Sequence, residues 1–187
     1  MILEGLLTTC DADGELRVAP MGPSVDERIS RLVLRPFPTS TSYQNLRRHP
    51  EGVFHVTDDA LLLARAAIGR ITEHPPTMRA CSVRGFVLTG ACRAYEFRVV
   101  AVDESEPRHR LECEVVHCHD LRHFFGFNRA KHAVVEAAIW ATRVHLFPRT
   151  EILREFDKWD EIVRKTGGAA ELKAMQELRQ FVLEEPT

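Results

Sequence analysis

The chain has 187 residues, 44% of them apolar, and a formal net charge of −2. That apolar content excludes a disordered chain, and the balanced charge excludes a nucleic-acid carrier, which needs a positive surplus to displace counterions. The 25 basic residues are 21 arginines and four lysines, so a single Arg needs a local reason before it is read as an anion clamp.

No run approaches the roughly 20 apolar residues a membrane helix needs. The first ten residues lack the basic flank of a signal peptide. The five cysteines, Cys10, Cys81, Cys92, Cys113 and Cys118, follow no framework spacing. They read as thiols in a reducing cytoplasm, which is the expected location.

In chain order, Ile2–Cys10 reads as a strand. Asp11-Ala12-Asp13-Gly14 supplies turn chemistry, and Leu16–Ser24 completes a hairpin in which Gly14 accepts the positive φ of a tight turn. Arg31–Phe37 and Gly52–Thr57 are further strands, separated by a short helix over Thr41–His49. Asp59–Ile68 reads as a second helix with Asp58 or Asp59 as cap, and residues 71–82 as a loop, either a lid or an excursion. Two long strands follow, in which Tyr95, Phe97 and Val99, then Leu111, Cys113 and Val115, alternate with charged residues. Period two with charges on one face describes antiparallel strands with one wet side.

From Phe127 the apolar period changes to three and four. A largely buried helix is expected over 128–146, capped by Asn128, with its polar residues Arg129, His132, Glu136 and Arg143 confined to one stripe. Ile152–Val163 and Leu172–Val182 mark two more helices, with a positive φ expected at Gly167-Gly168 between them. The expected fold is therefore α+β: about six mostly antiparallel strands closing a small barrel, then a three-helix segment.

Three constellations could carry chemistry. In the first, a strand ends in Arg35, two prolines stiffen the exit, and Thr39, Ser40, Thr41 and Ser42 precede a helix bearing Asn45. Hydroxyls, N–H groups at a helix start and one guanidinium are what a phosphate monoester needs, although such residues also cluster at helix caps without a ligand. The second is Cys113, His117, Cys118, His119 and His123, residue types that ligate zinc. Cys113 lies on the inward face and no second cluster completes a known spacing, so no metal is assigned. The third is the helical stripe, which faces either solvent or a cleft. Lys165-Thr166-Gly167-Gly168 is not a phosphate loop, because it closes a helix, and a helix C-terminus repels anions.

The first half, with its Asp-Gly turn, Ala19-Pro20-Met21-Gly22, the hydroxyl-rich turn into Asn45-Leu46-Arg47-Arg48 and the following His49-Pro50-Glu51-Gly52-Val53-Phe54-His55-Val56, resembles the FMN-binding split barrels. That superfamily includes pyridoxamine-phosphate oxidases and flavin reductases. Paired with residues 127–143 and with Ile162–Gly168, the whole chain is similar to the domain of unknown function 447 family.

The resemblance implies a flavin-binding barrel over residues 1–124 and a helical subdomain over 125–187, packed on the barrel and at a dimer interface. It implies FMN as cofactor, its phosphate held by Arg35, Thr39, Ser40, Thr41, Ser42 and Asn45, and its ring against Met21 and Gly22. It implies a homodimer with shared flavin sites and an oxidoreductase acting on a small, pterin-like molecule, recognised by Asn128, Arg129, His132 and Glu136. No proton donor is identified. The competing implication is a non-catalytic module holding a flavin, F420 or haem.

Overall fold

The computed structural model describes residues 1–185; the last two positions of the expected helical subdomain lie outside them. Two compact units emerge, Met1–Thr57 with Pro75–Phe124, and Asp58–His74 with the chain from Phe125 onward. The segment Asp58–His74 is thus grouped with the C-terminal helices, although it is inserted between strands of the barrel.

In the first unit, β1 (Gly5–Cys10) and β2 (Leu16–Met21) form the expected hairpin, with Gly14 at φ +84°. The expected strand over Leu16–Ser24 breaks at Gly22-Pro23. Beyond that corner, β3 (Ser24–Val25) pairs instead with β4 (Arg31–Leu34). The corner is held by the Leu3 N–H, which donates to the Pro23 carbonyl at 3.0 Å. Next come α1 (Thr41–Arg48), β5 (Glu51–Val56), β6 (Thr77–Arg79), β7 (Phe86–Leu88), β8 (Arg93–Asp103) and β9 (Arg110–Asp120). Residues 71–82, expected to be a loop, therefore contain β6, which pairs with β7 in a separate two-stranded hairpin.

The main sheet is antiparallel, in the order β2-β1-β5-β8-β9-β4-β3. It curls on itself. The residues ahead of β1 reach the opposite edge, where Ile2 bridges Ser24 and the Val25 N–H donates to the Met1 carbonyl at 2.9 Å. That contact covers the β3 edge, whereas β2, which carries Pro20, remains an edge strand. Leu7, Leu34, Phe54, Phe97 and Leu111 fill the interior, and α1 adds Tyr43 and Leu46. Each of these large side chains contributes about 1.5–3 kcal/mol on burial. Gly5 is required where it stands, because a Cβ there would lie 2.3 Å from the His55 carbonyl oxygen.

The outer face is not uniformly wet. Val83 and Val87 pack with Val53 and Ala94, so the β6–β7 hairpin covers part of it. On that face the Thr8 hydroxyl of β1 donates to the Phe86 carbonyl at 2.7 Å.

The second unit contains α2 (Ala60–Ala67), α3 (Arg129–Ala141), α4 (Arg149–Thr166) and α5 (Ala169–Glu184). Asp59 caps α2 and Asn128 caps α3, each side chain accepting an N–H from the first turn. The third helix stops five residues short of the expected 146. Its last bonds tighten to i→i+3, as in Arg143 N–H to the Trp140 carbonyl at 3.0 Å, and Thr142 turns its hydroxyl back to the Ile139 carbonyl at 2.8 Å. Arg143 therefore leaves the helical stripe. Gly167 and Gly168 separate α4 from α5 without positive φ (−92° and −102°). Gly167 is demanded by space instead: a Cβ there would sit 2.8 Å from the Val163 oxygen and 3.1 Å from the Ala130 Cβ. Among the described residues, no helix is long and apolar enough to cross a membrane.

Candidate functional site

The turn from β4 into α1 is built by its own polar groups. Ser40 is the N-cap of α1, accepting the Tyr43 N–H at 3.3 Å and donating to the Phe37 carbonyl at 2.7 Å. Asn45 is buried and donates to the Thr9 hydroxyl at 3.0 Å, while its oxygen accepts from Arg48 at 3.4 Å. These two predicted ligand residues are structural anchors. Thr39, Thr41 and Ser42 have no side-chain hydrogen bond among the described residues, and the first turn of α1 carries no acidic residue. Their hydroxyls and the first N–H groups of α1 are what this turn can offer an anion.

Arg35 is exposed and paired with Glu106. An exposed ion pair of this kind contributes little, and a phosphate can replace the carboxylate at small cost. The partner comes from the β8–β9 tip, which sequence reasoning passed over. Arg108 Nε donates to the Arg35 carbonyl at 2.8 Å, and its guanidinium lies 5.0 Å from the Phe37 ring centroid. The Tyr43 hydroxyl donates to Glu104 at 2.6 Å, and the His109 ring meets Tyr43 edge-on at 4.8 Å. Burial, followed by the Glu104 contact, pushes the Tyr43 pKa up, so the phenol stays protonated and donating. His109 Nδ1 is a buried ring nitrogen without a partner among the described residues, the type of unsatisfied atom that a ligand or water completes. The only signal in the sequence was the density of charge in Glu104–Arg110 at the end of two long strands.

Met21 is half-buried and packs against the barrel core, and Gly22 occupies the corner after it. A Cβ on Gly22 would stand 3.1 Å from the Glu4 carboxylate oxygens and from Ile2, so the absent side chain makes room for the N-terminal segment.

On the helical unit, Arg129, His132 and Glu136 line a pocket of about 280 Å³ together with Ala133, Trp159 and Ile162. Positions 129, 132, 133 and 136 share one face of α3. Trp159 and Ile162, which sequence reasoning did not assign to a site, form the apolar wall from α4. No hydrogen bond or ion pair holds the side chains of Arg129, His132 or Glu136 among the described residues; the His132 ring stacks on exposed Phe127 at 6.1 Å. Asn128 is different. Its oxygen caps α3 through the Lys131 N–H at 3.1 Å, and its amide donates to the Thr166 carbonyl at 3.0 Å. Lys131 is likewise occupied, donating to the Asp58 carbonyl and to Glu171, both at 2.8 Å.

The Cys113 cluster separates. Cys113 faces the core, where burial pushes its thiol up to about 12, whereas His117 and His119 lie on the other face of β9. His123 is exposed beyond the strand.

Against known structures, the chain is similar to an FMN-bound protein from Methanosarcina mazei, with 20% identity, a TM-score of 0.82, and coverage of 96% of this chain and 94% of that one. It is also similar to a Pseudomonas fluorescens 2-nitrobenzoate 2-nitroreductase (13% identity, TM-score 0.53, 62% and 63% covered). A styrene monooxygenase flavin reductase from Pseudomonas putida gives 10% identity and a TM-score of 0.54, with 65% and 82% covered. The latter two likenesses span about the length of the barrel; only the first extends over the helices as well. The fold is thus the α+β split barrel expected, with a helical C-terminal segment. No protein of curated function matches the sequence. Family models described as the N-terminal domain of a protein of unknown function (DUF447) and as protein of unknown function (DUF447) match residues 3–122 and 128–180. The chain belongs to the DUF447 family.

Proposed function

We propose that the chain binds FMN and works as an FMN-dependent oxidoreductase on a small planar substrate. The observation that carries the reading is the likeness over nearly the whole chain to a protein whose crystal structure is FMN-bound. The turn at the head of α1 supports it, with three uncommitted hydroxyls, free helix N–H groups and an exchangeable Arg35 beside them. Arg35 and the hydroxyls of Thr39, Thr41 and Ser42 would hold the phosphate; Ser40 and Asn45 hold the turn that presents them. Bound FMN would supply hydride transfer at its ring, and the protein the binding and orientation.

Substrate recognition is assigned to the α3 pocket, where a guanidinium, a carboxylate and an imidazole surround an apolar wall of Trp159 and Ile162. Such a lining suits a flat heterocycle with polar edges, including a pterin-like one. On the same reading the working unit is a homodimer in the cytoplasm, and the exposed Phe124, Phe125 and Phe127 are apolar surface that a second copy would cover.

The test is anaerobic mixing of the FMN-loaded protein with NADH or NADPH. Bleaching of the flavin, and its return when an acceptor is added, is the expected result. A flavin that binds but is reduced by neither nucleotide would leave a flavin-holding protein in place of the oxidoreductase.

A further inference from the structure

The outer face of the β8–β9 ribbon carries a group of side chains that the flavin reading does not use. A β-bulge lies at its centre. Glu96 pairs with His117 but the next pair is Phe97 with Val115, so Val116 has no opposite residue. In an unbroken ladder His117 would fall opposite Tyr95 and point with Cys113 and Val115 into the core. The extra residue turns His117 and His119 to the opposite face, beside Glu96 and Ala94.

Glu96 is fully buried there. The β6–β7 connection wraps over it and supplies the N–H groups of Cys81, Ser82 and Val83 at 2.7, 2.6 and 3.1 Å, while His119 Nε2 lies 2.6 Å away. Burial alone pushes a carboxylate pKa up, but the Cys81 N–H and the His119 ring outweigh it, and the net shift is downward. The same turn brings the exposed Cys81 thiol to the group. One ligand-type atom from each of Cys81, Glu96, His117 and His119 lies within 4.8 Å of every other. The His117 and His119 rings meet edge-on at 4.5 Å.

We propose that Cys81, Glu96, His117 and His119 form a zinc-class metal site that clamps the β6–β7 hairpin to the β8–β9 ribbon. A thiolate with two imidazoles selects zinc over calcium or magnesium, which take oxygen ligands. Metal–ligand bonds of about 2.0–2.3 Å set tetrahedral ligand atoms about 3.5 Å apart, so the group must contract by about an ångström at its widest. Loading also opens the His119–Glu96 hydrogen bond, since 2.6 Å is too short for two ligands of one ion. Cys81 gives up its thiol proton, and His119 carries its ring proton on Nδ1 so that Nε2 can ligate. The three backbone donors remain on Glu96 and hold it as an outer shell holds a ligand. Four protein ligands close the coordination sphere, so the site is structural and not catalytic. This inference does not depend on flavin binding.

The test uses the full chain, stripped with chelator under reducing conditions and titrated with Co²⁺. A thiolate-to-cobalt charge-transfer band saturating at one ion per chain, then displaced by Zn²⁺, is expected, as is a rise in melting temperature with Zn²⁺. Cys81→Ser, at an exposed position, should abolish that band, and His117→Ala should weaken Co²⁺ binding about tenfold or more. His123→Ala and Cys118→Ser, close in sequence but outside the group, should leave both unchanged. Absence of a saturating band, or a band that survives Cys81→Ser, overturns the site.

Discussion

The turn into α1 and the exposed face of α3 both begin with a polar cap residue and continue with side chains chosen in sequence as ligand contacts. In the turn, Ser40 and Asn45 are consumed by the fold, bonded to Phe37, Tyr43, Thr9 and Arg48, while Thr39, Thr41 and Ser42 are not. On α3, Asn128 and Lys131 are consumed, and Arg129, His132 and Glu136 remain without a hydrogen-bonding partner among the described residues. The difference within each region teaches more than the residue types do. A polar group already satisfied inside the protein builds the frame, and its removal costs stability. A polar group the fold leaves unspent is the one free to meet a ligand.

Substitutions and pH sharpen this division. The largest effect belongs to His55, a fully committed ring between the Leu6 carbonyl at 3.2 Å and the Leu88 N–H at 3.0 Å. Burial depresses its pKa to about 4 from 6.5, so the folded state keeps it neutral while the unfolded chain takes up a proton. Its contribution is complete above about pH 6.5 and is lost as pH falls towards 4, by up to about 3 kcal/mol. The carboxylates with lowered pKa, such as Glu96 and Glu171, give way only below 4.5. Urea unfolding at pH 7 and pH 5 should show the His55 loss separately; equal stability at both would place a charged or exposed ring there. Asn45→Ala comes next, at about 2 kcal/mol, since it strands a buried Thr9 hydroxyl. Chemical denaturation measures it, and a change within 0.5 kcal/mol, the size of a surface substitution, would deny the anchor role.

Two neighbours on α3 make the finer test. Asn128→Ala should cost about 1 kcal/mol through the lost cap, whereas Arg129→Ala should leave unfolding within about 0.5 kcal/mol. Only Arg129→Ala should then weaken substrate, read as a raised KM once an acceptor is found. Equal stability losses in the two variants would erase the distinction between frame and site.

What could be read from the residues follows the same physics. Asp11–Gly14, the cap residues Ser40, Asp59 and Asn128, and the change of period at Phe127 are local signals, and local energetics decided those elements. Three features were hidden because distant chain segments decide them. The strand after Asp13-Gly14 splits at Gly22-Pro23, where the chain leaves β1 and pairs with β4 instead. An unbroken strand would set His117 and His119 on the inward face with Cys113, and a single unpaired Val116 reverses that parity. Glu96 reads as a wet-face charge until the β6–β7 hairpin, itself expected to be an irregular loop, is folded over it. The candidate site was legible only as residue types, the Arg-hydroxyl turn and the polar stripe. Which members are spare could not be read without the bonds that occupy the others.

The phosphate role of the α1 turn is the central claim, and comparing FMN with riboflavin isolates it, because the two differ only in the phosphate. Fluorescence titration of both ligands should show the wild-type chain binding FMN at least about tenfold more tightly. Arg35→Ala should close most of that gap without changing riboflavin affinity, as one charge-assisted contact to phosphate is worth about 1.5–3 kcal/mol. Equal affinity of the wild-type chain for FMN and riboflavin, or a gap that survives Arg35→Ala intact, would contradict the account.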